Sequence, residues 1–139
     1  MKYLAIDYGN KRTGLALCDP QEIVVSPYSV LSTQGNLIKA IVDIITDESI
    51  EAVVIGLPLN MDGTEGFQVK RVREFAKQLS AKVDLPLIFQ DERLTSFSAK
   101  EKLSEMGMTH GKKRKHLDAI AAAEILNAFF ETNTSMDNE

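Results

Sequence analysis

Residues 4–18 read LAIDYGNKRTGLALC. Two apolar runs, Leu4–Ile6 and Leu15–Cys18, flank a polar centre holding one acid, two glycines and the adjacent cations Lys11 and Arg12. Apolar runs joined by a short glycine-containing turn predict paired strands over 2–8 and 12–18. A hairpin accounts for the turn. It does not account for Asp7, a carboxylate at the end of a strand that reads as buried.

Working outward, 23–31 (EIVVSPYSV) reads as a third strand, with Pro27 pointing to an edge or a bend. Over 36–48, Leu37, Ile38, Ile41, Val42, Ile44 and Ile45 recur at helical spacing. AVVIGLP follows at 52–58, a continuous apolar run of the kind buried on both faces in a parallel sheet. A second helix is expected over 65–81, with Val72, Phe75, Ala76 and Leu79 inward and Lys70, Arg73 and Lys77 together elsewhere. LPLIFQDE is the next buried strand, and 96–106 the next helix, where Ser98 and Glu101 fit a capping box. GMTHGKKRK at 107–115 reads as a mobile loop, and 116–131 as the final helix. Three directly joined strands, then strands alternating with helices, give an α/β fold. Its sheet is mixed, antiparallel first and parallel after, and flanked by helices. One domain over 1–131 is expected, with a polar, frayed tail at 132–139 and no repeat or linker.

Composition narrows the class. With 44% hydrophobic and 26% charged residues the chain can build an ordinary core. A single cysteine, Cys18, excludes an internal disulfide and fits a reducing cytoplasm. The first nine residues are too short in apolar run for a signal peptide, and no stretch approaches a membrane span. A net charge of −4 argues against nucleic acid only if charge is evenly spread, and it is not. Cations cluster at Lys11-Arg12, at Lys70, Arg71, Arg73 and Lys77, and at Lys112 to His116.

In open α/β sheets, sites gather at the carboxyl ends of the parallel strands. Asp7, Asp91, Glu92 and Asp118 all fall at that end. Asp118 is the most telling. Ala121, Ala122, Ile125 and Phe129 follow it at helical spacing, so a carboxylate lies in line with a core-facing stripe. That position is costly unless the charge is paired or binds a cation; the positive end of the helix offers one compensation. Each acid alone has an ordinary explanation in turn chemistry, capping or a solvated cluster. Together they repel, and a dication relieves the repulsion. Oxygen-only ligands suit Mg²⁺ or Mn²⁺.

Four blocks then carry a resemblance: IDYGNKRTGLAL (6–17), VIGLPLNMDGT (54–64), QDERLTS (90–96) and KRKHLDAIAAAEIL (113–126). In this order they resemble the YqgF family, the Holliday-junction-resolvase-like proteins of the ribonuclease H-like superfamily, from Tyr3 to about Phe130. Thr13 departs from the branched aliphatic expected there. The resemblance implies a ribonuclease H-like fold and a metal-dependent nuclease in which Asp7, Glu92 and Asp118 bind the metal and carry catalysis. Asp91 is the weaker choice, because neighbours on a strand face opposite ways. The implied mechanism is two-ion phosphodiester hydrolysis. Nucleic-acid contacts fall to Lys11, Arg12, Arg93, Lys112, Lys113, Arg114 and Lys115, and phosphate-binding amides to the 56–64 loop and the helix after it. The implied substrate is the 5′ end of precursor 16S ribosomal RNA, with branched DNA as the alternative. Two other readings are a non-catalytic module for structured nucleic acid and an actin-like phosphotransferase. The latter needs two such domains where 139 residues supply one. Junction cleavage calls for a homodimer and RNA processing is compatible with a monomer.

Overall fold

The computed structural model describes residues 1–92 and 110–137, with side chains over 1–92 and 117–132. Its elements are β1 (Tyr3–Tyr8), β2 (Arg12–Cys18), β3 (Val25–Ser32), α1 (Leu37–Asp47), β4 (Ala52–Leu57), α2 (Phe67–Ser80), β5 (Leu87–Asp91) and α3 (His110–Asp137). The strands form one five-stranded sheet in the order β3-β2-β1-β4-β5. β1 and β3 pair antiparallel with β2, whereas β4 lies parallel to both β1 and β5. The expected mixed sheet is present. β3 is the edge strand, and its register with β2 shifts between Leu15 and Ala16, where Ser29 and then Pro27 are the partners. Proline cannot donate to a ladder, so it is accommodated at an edge and at a bulge.

Strand alternation divides the core in two. Leu4, Ile6, Leu15, Val53 and Ile55 face α1 and α2, burying Ile41, Val72, Phe75 and Leu79 with them. Ala5, Ala16, Cys18 and Val54 face the other way and meet Ala122, Ile125, Leu126 and Phe129 of α3. β4 is buried along its whole length, as its unbroken apolar run requires. Tyr3 packs against Phe129 and Phe130, with ring centroids 5.2 and 5.4 Å away, and anchors α3 at the far end of the sheet.

Two sequence expectations need correction. Helical backbone starts at His110, so Lys112–Lys115 lie on a helix and not in a loop; it continues to Asp137, through most of the stretch expected to fray. Extending an existing helix adds one hydrogen bond per residue fixed, and Lys, Arg and Glu are good helix formers. Thr132 continues the pattern by donating its hydroxyl to the Ala128 carbonyl at 2.9 Å. The helix expected over 96–106, and Arg93, lie outside the described residues.

Candidate active site

Register builds the site. Asp7 of β1 stands directly opposite Gly14 of β2. On the other side β1 and β4 run in step through Ile6 and Ile55, so Gly56 comes level with Asp7; Gln90 of β5 is level with Gly56. Residues level across a sheet share a face. Asp7 therefore sits between two glycines, on the face that α3 covers. Both glycines hold space that a side chain would fill. A Cβ on Gly14 would collide with the backbone carbonyl of Asp118, and one on Gly56 with the Glu92 carboxylate and Ile125 Cδ1. Gly14 lets α3 come down onto β2, and Gly56 lets Glu92 lean over β4. A glycine inside a strand is the sequence signal for such close approach, and the sequence reading passed over both.

Glu92, two residues past Gln90, keeps the same face, and its carboxyl group hydrogen-bonds that of Asp7. Asp91 pairs in register with Leu57 on the opposite face, and its charge adds to the upward push on Glu92. Two carboxyls can share a hydrogen bond only if one holds a proton. Burial, then the Asp7 charge and its hydrogen bond, push Glu92 up to about 8. Burial and the nearby charge of Asp118 push Asp7 up to about 6, against the opposing pull of its bond to Glu92. Burial and mutual repulsion thus favour one proton shared by the Asp7–Glu92 pair.

Asp118 is partly buried, and its compensation is not the one expected. It lies eight residues beyond His110, two turns inside α3, out of reach of the helix's positive end. Its partner is Arg12, whose Nε donates to Oδ2 at 2.8 Å. Arg12 was expected to face a phosphate; here it neutralises a carboxylate that the core stripe brings to the sheet. Lys11 stays exposed in the turn, whose backbone is held by Thr33: its hydroxyl donates to the Gly9 carbonyl at 2.7 Å and its amide to that of Lys11 at 2.9 Å. Thr13, fully buried, is satisfied at 2.8 Å by the same Thr33 hydroxyl, so the departure from an aliphatic leaves no orphan polar group. The 58–66 loop folds on itself through Asn60, Asp62 and Thr64. It ends at Gly66, where α2 starts without a side-chain cap.

Among the described residues no three His, Cys, Asp or Glu side chains converge as a ready cation site. Asp7 and Glu92 are joined through a proton, and Asp118 is held by Arg12. In kind, the donors fit a hard dication: all are carboxylate oxygens.

A family model for RuvX, Holliday junction resolvase, matches residues 1–132. The chain belongs to the RuvX family. A relative from Maridesulfovibrio salexigens, named "Putative pre-16S rRNA nuclease", is 42% identical over 93% of this chain and 97% of its own length. One of the same name from Lawsonia intracellularis is 37% identical over 97% and 96%. Among solved structures, Thermus thermophilus RuvC in complex with a Holliday junction substrate has the same fold. Its TM-score is 0.61 at 16% identity, covering 96% of this chain and 97% of that one. Fowlpox virus resolvase with its Holliday junction DNA gives 0.54 at 15% identity, over 98% and 99%. The resemblance read from the four sequence blocks, and the ribonuclease H-like fold it implied, both hold for this RuvX chain.

Proposed function

We propose that this RuvX chain is a divalent-metal-dependent nuclease that cuts nucleic-acid phosphodiesters at Asp7, Glu92 and Asp118, with the 5′ end of precursor 16S ribosomal RNA as substrate. Membership of the family makes it a nuclease. The observation that carries the site is the Asp7–Glu92 pair, two crowded carboxyls held together by a proton where two glycines clear the space around them. The relatives' name supports the RNA substrate, and the cytoplasm is the compartment where that substrate is made.

Asp7, Glu92 and Asp118 would hold Mg²⁺ or Mn²⁺. Bound there, the ion supplies positive charge to the scissile phosphate and makes an attacking water more acidic. The chain's own residues do the rest. Glu92 gives up the proton it shares with Asp7, which frees two carboxylates at once. Arg12 lets go of Asp118 and turns its guanidinium, with the neighbouring Lys11, to the substrate backbone. The α3 helix, seated on Gly14, fixes Asp118 relative to Asp7 and keeps water from the apolar side of the site. Lys112, Lys113, Arg114 and Lys115, at the start of α3, are proposed to add further phosphate contacts, as is Arg93.

The test is cleavage of a labelled precursor 16S 5′ leader and of a four-way DNA junction in Mg²⁺, Mn²⁺ or EDTA, with Asp7→Asn in parallel. Metal-dependent cutting of the leader, lost in Asp7→Asn, is the expected result. Cutting of the junction alone would move the substrate to DNA. Metal-independent binding without cleavage of either would leave a structured nucleic-acid-binding module.

A further inference from the structure

A cavity of about 890 Å³ lies between α1 and α2, on the sheet face away from the acids. Its apolar floor includes Phe75, Val42 and Tyr8, the last stacked on Phe75 with centroids 4.7 Å apart and planes 26° from parallel. Its rim carries Lys39, Lys70, Arg71 and Lys82 against one acid, Glu74. All four cations are exposed. A chain with a net charge of −4 has gathered a cationic rim at one place.

The cavity and the acid site lie on opposite faces of the sheet at the end of β1. Tyr8 is the residue after Asp7, and strand alternation sends the two side chains to opposite faces. Between them lies the β1–β2 turn, which is tied to the cavity wall: Arg71 Nη1 donates to Asn10 Oδ1 at 2.6 Å, and Gln68 Nε2 to the Tyr8 carbonyl at 3.5 Å. Exposed Phe67 stands at the start of α2 with the Arg71 guanidinium 4.6 Å above its ring.

We propose that this groove binds the single-stranded flank of the nucleic-acid substrate, led over the Gly9–Lys11 turn from the scissile phosphate; the assignment rests on the nuclease reading of Asp7. The chemistry selects a single strand. Cations at a rim suit the phosphates, while an apolar and aromatic floor suits unpaired bases. A duplex hides its base faces and is too wide to enter between two helices packed on one sheet.

The experiment measures anisotropy of labelled RNA: a blunt duplex, and the same duplex carrying a single-stranded flank. Wild type is compared with Lys70→Ala/Lys82→Ala and with Lys70→Arg/Lys82→Arg, each checked for an unchanged melting temperature. Wild type is expected to prefer the flanked probe. In the alanine pair that preference is lost and the salt slope on the flanked probe falls by about 1.4, roughly 0.7 per phosphate contact on a single strand. Affinity for the blunt duplex stays within about twofold, and the arginine pair restores the preference. Equal affinity of wild type for both probes would overturn the proposal, as would an equal loss on both in the alanine pair. A flank preference that depends on these lysines, in a chain that cleaves nothing, would sink the nuclease reading and leave the groove standing.

Discussion

Arg12 Nε lies 2.8 Å from Asp118 Oδ2, a pairing that spans 106 residues of sequence. It closes the hairpin turn of β1–β2 against α3 and occupies the third of the three acids proposed to hold the metal. Under the proposed function, in which Asp118 joins Asp7 and Glu92 around a cation, this ion pair would compete with the metal.

Arg12→Gln should therefore tighten Mn²⁺ binding severalfold by calorimetry, because Asp118 no longer has to be released. The stability loss should be small, about 1 kcal/mol, as the pair is partly exposed. Cleavage should nevertheless fall, since the phosphate contact goes with the guanidinium. Unchanged Mn²⁺ affinity would show that Arg12 does not restrain Asp118.

Stability of the metal-free chain should fall as pH rises. Asp7 goes from an ordinary 3.8 up to about 6 and Glu92 from 4.5 up to about 8, so between those limits the folded chain binds more protons than the unfolded one. The stabilisation is fully present below the unfolded values, then lost as pH passes about 6 and about 8. A difference of one proton gives a slope of about 1.4 kcal/mol per pH unit. Urea melts from pH 4.5 to 8.5 in EDTA would measure it, and Asp7→Asn should flatten it. A flat profile in the parent chain would mean that the two carboxyls are not crowded as described.

Adding Mg²⁺ or Mn²⁺ should reverse that trend. A ligand bound only by the folded state raises the melting temperature with its concentration, and at the proposed site it would displace the proton shared by Asp7 and Glu92. The rise should be larger at pH 8 than at pH 6 and should vanish in Asp7→Asn. An equal rise at both values in both chains would indicate binding elsewhere.

Gly14→Ala and Gly56→Ala should separate folding from chemistry. The added methyl at 14 meets helix backbone, which cannot step aside, so a loss of about 3 kcal/mol is expected by chemical denaturation. At 56 it meets a carboxylate and the tip of Ile125, which can move. Stability should drop by about 1 kcal/mol, while cleavage drops much further because Glu92 is pushed off Asp7. Full activity in Gly56→Ala would remove Glu92 from the site.

Much of this was legible in the residues. Strand alternation alone separates Asp91 from Glu92, and helical spacing alone puts Asp118 in line with Ile125 and Phe129. Those inferences need only the period of a strand or a helix, which the sequence carries locally. The partner of Asp118 is a different matter. The helix was expected to begin near His116, so its N-terminus was offered as compensation; the true start at His110 removes that and leaves the work to Arg12. Helix ends depend on propagation and capping, and a contact across 106 residues depends on register, so neither has a local signature. The two glycines did carry a signal, each interrupting an apolar strand. Read as ordinary strand residues, they concealed how closely α3 and Glu92 approach the sheet. The groove between α1 and α2 was scarcely legible: of Lys70, Arg73 and Lys77, which the helical period puts together, only Lys70 lines it, and Lys39 and Lys82 come from outside that helix.

The helix that bears Asp118 also seals the second core, over Ala5, Ala16 and Val54. Among the described elements it comes latest in the chain. A growing chain can pair β1, β2 and β3 early, and even bring Glu92 to Asp7, while the far face of its sheet stays bare. The third carboxylate and the closing of that face arrive in one docking event.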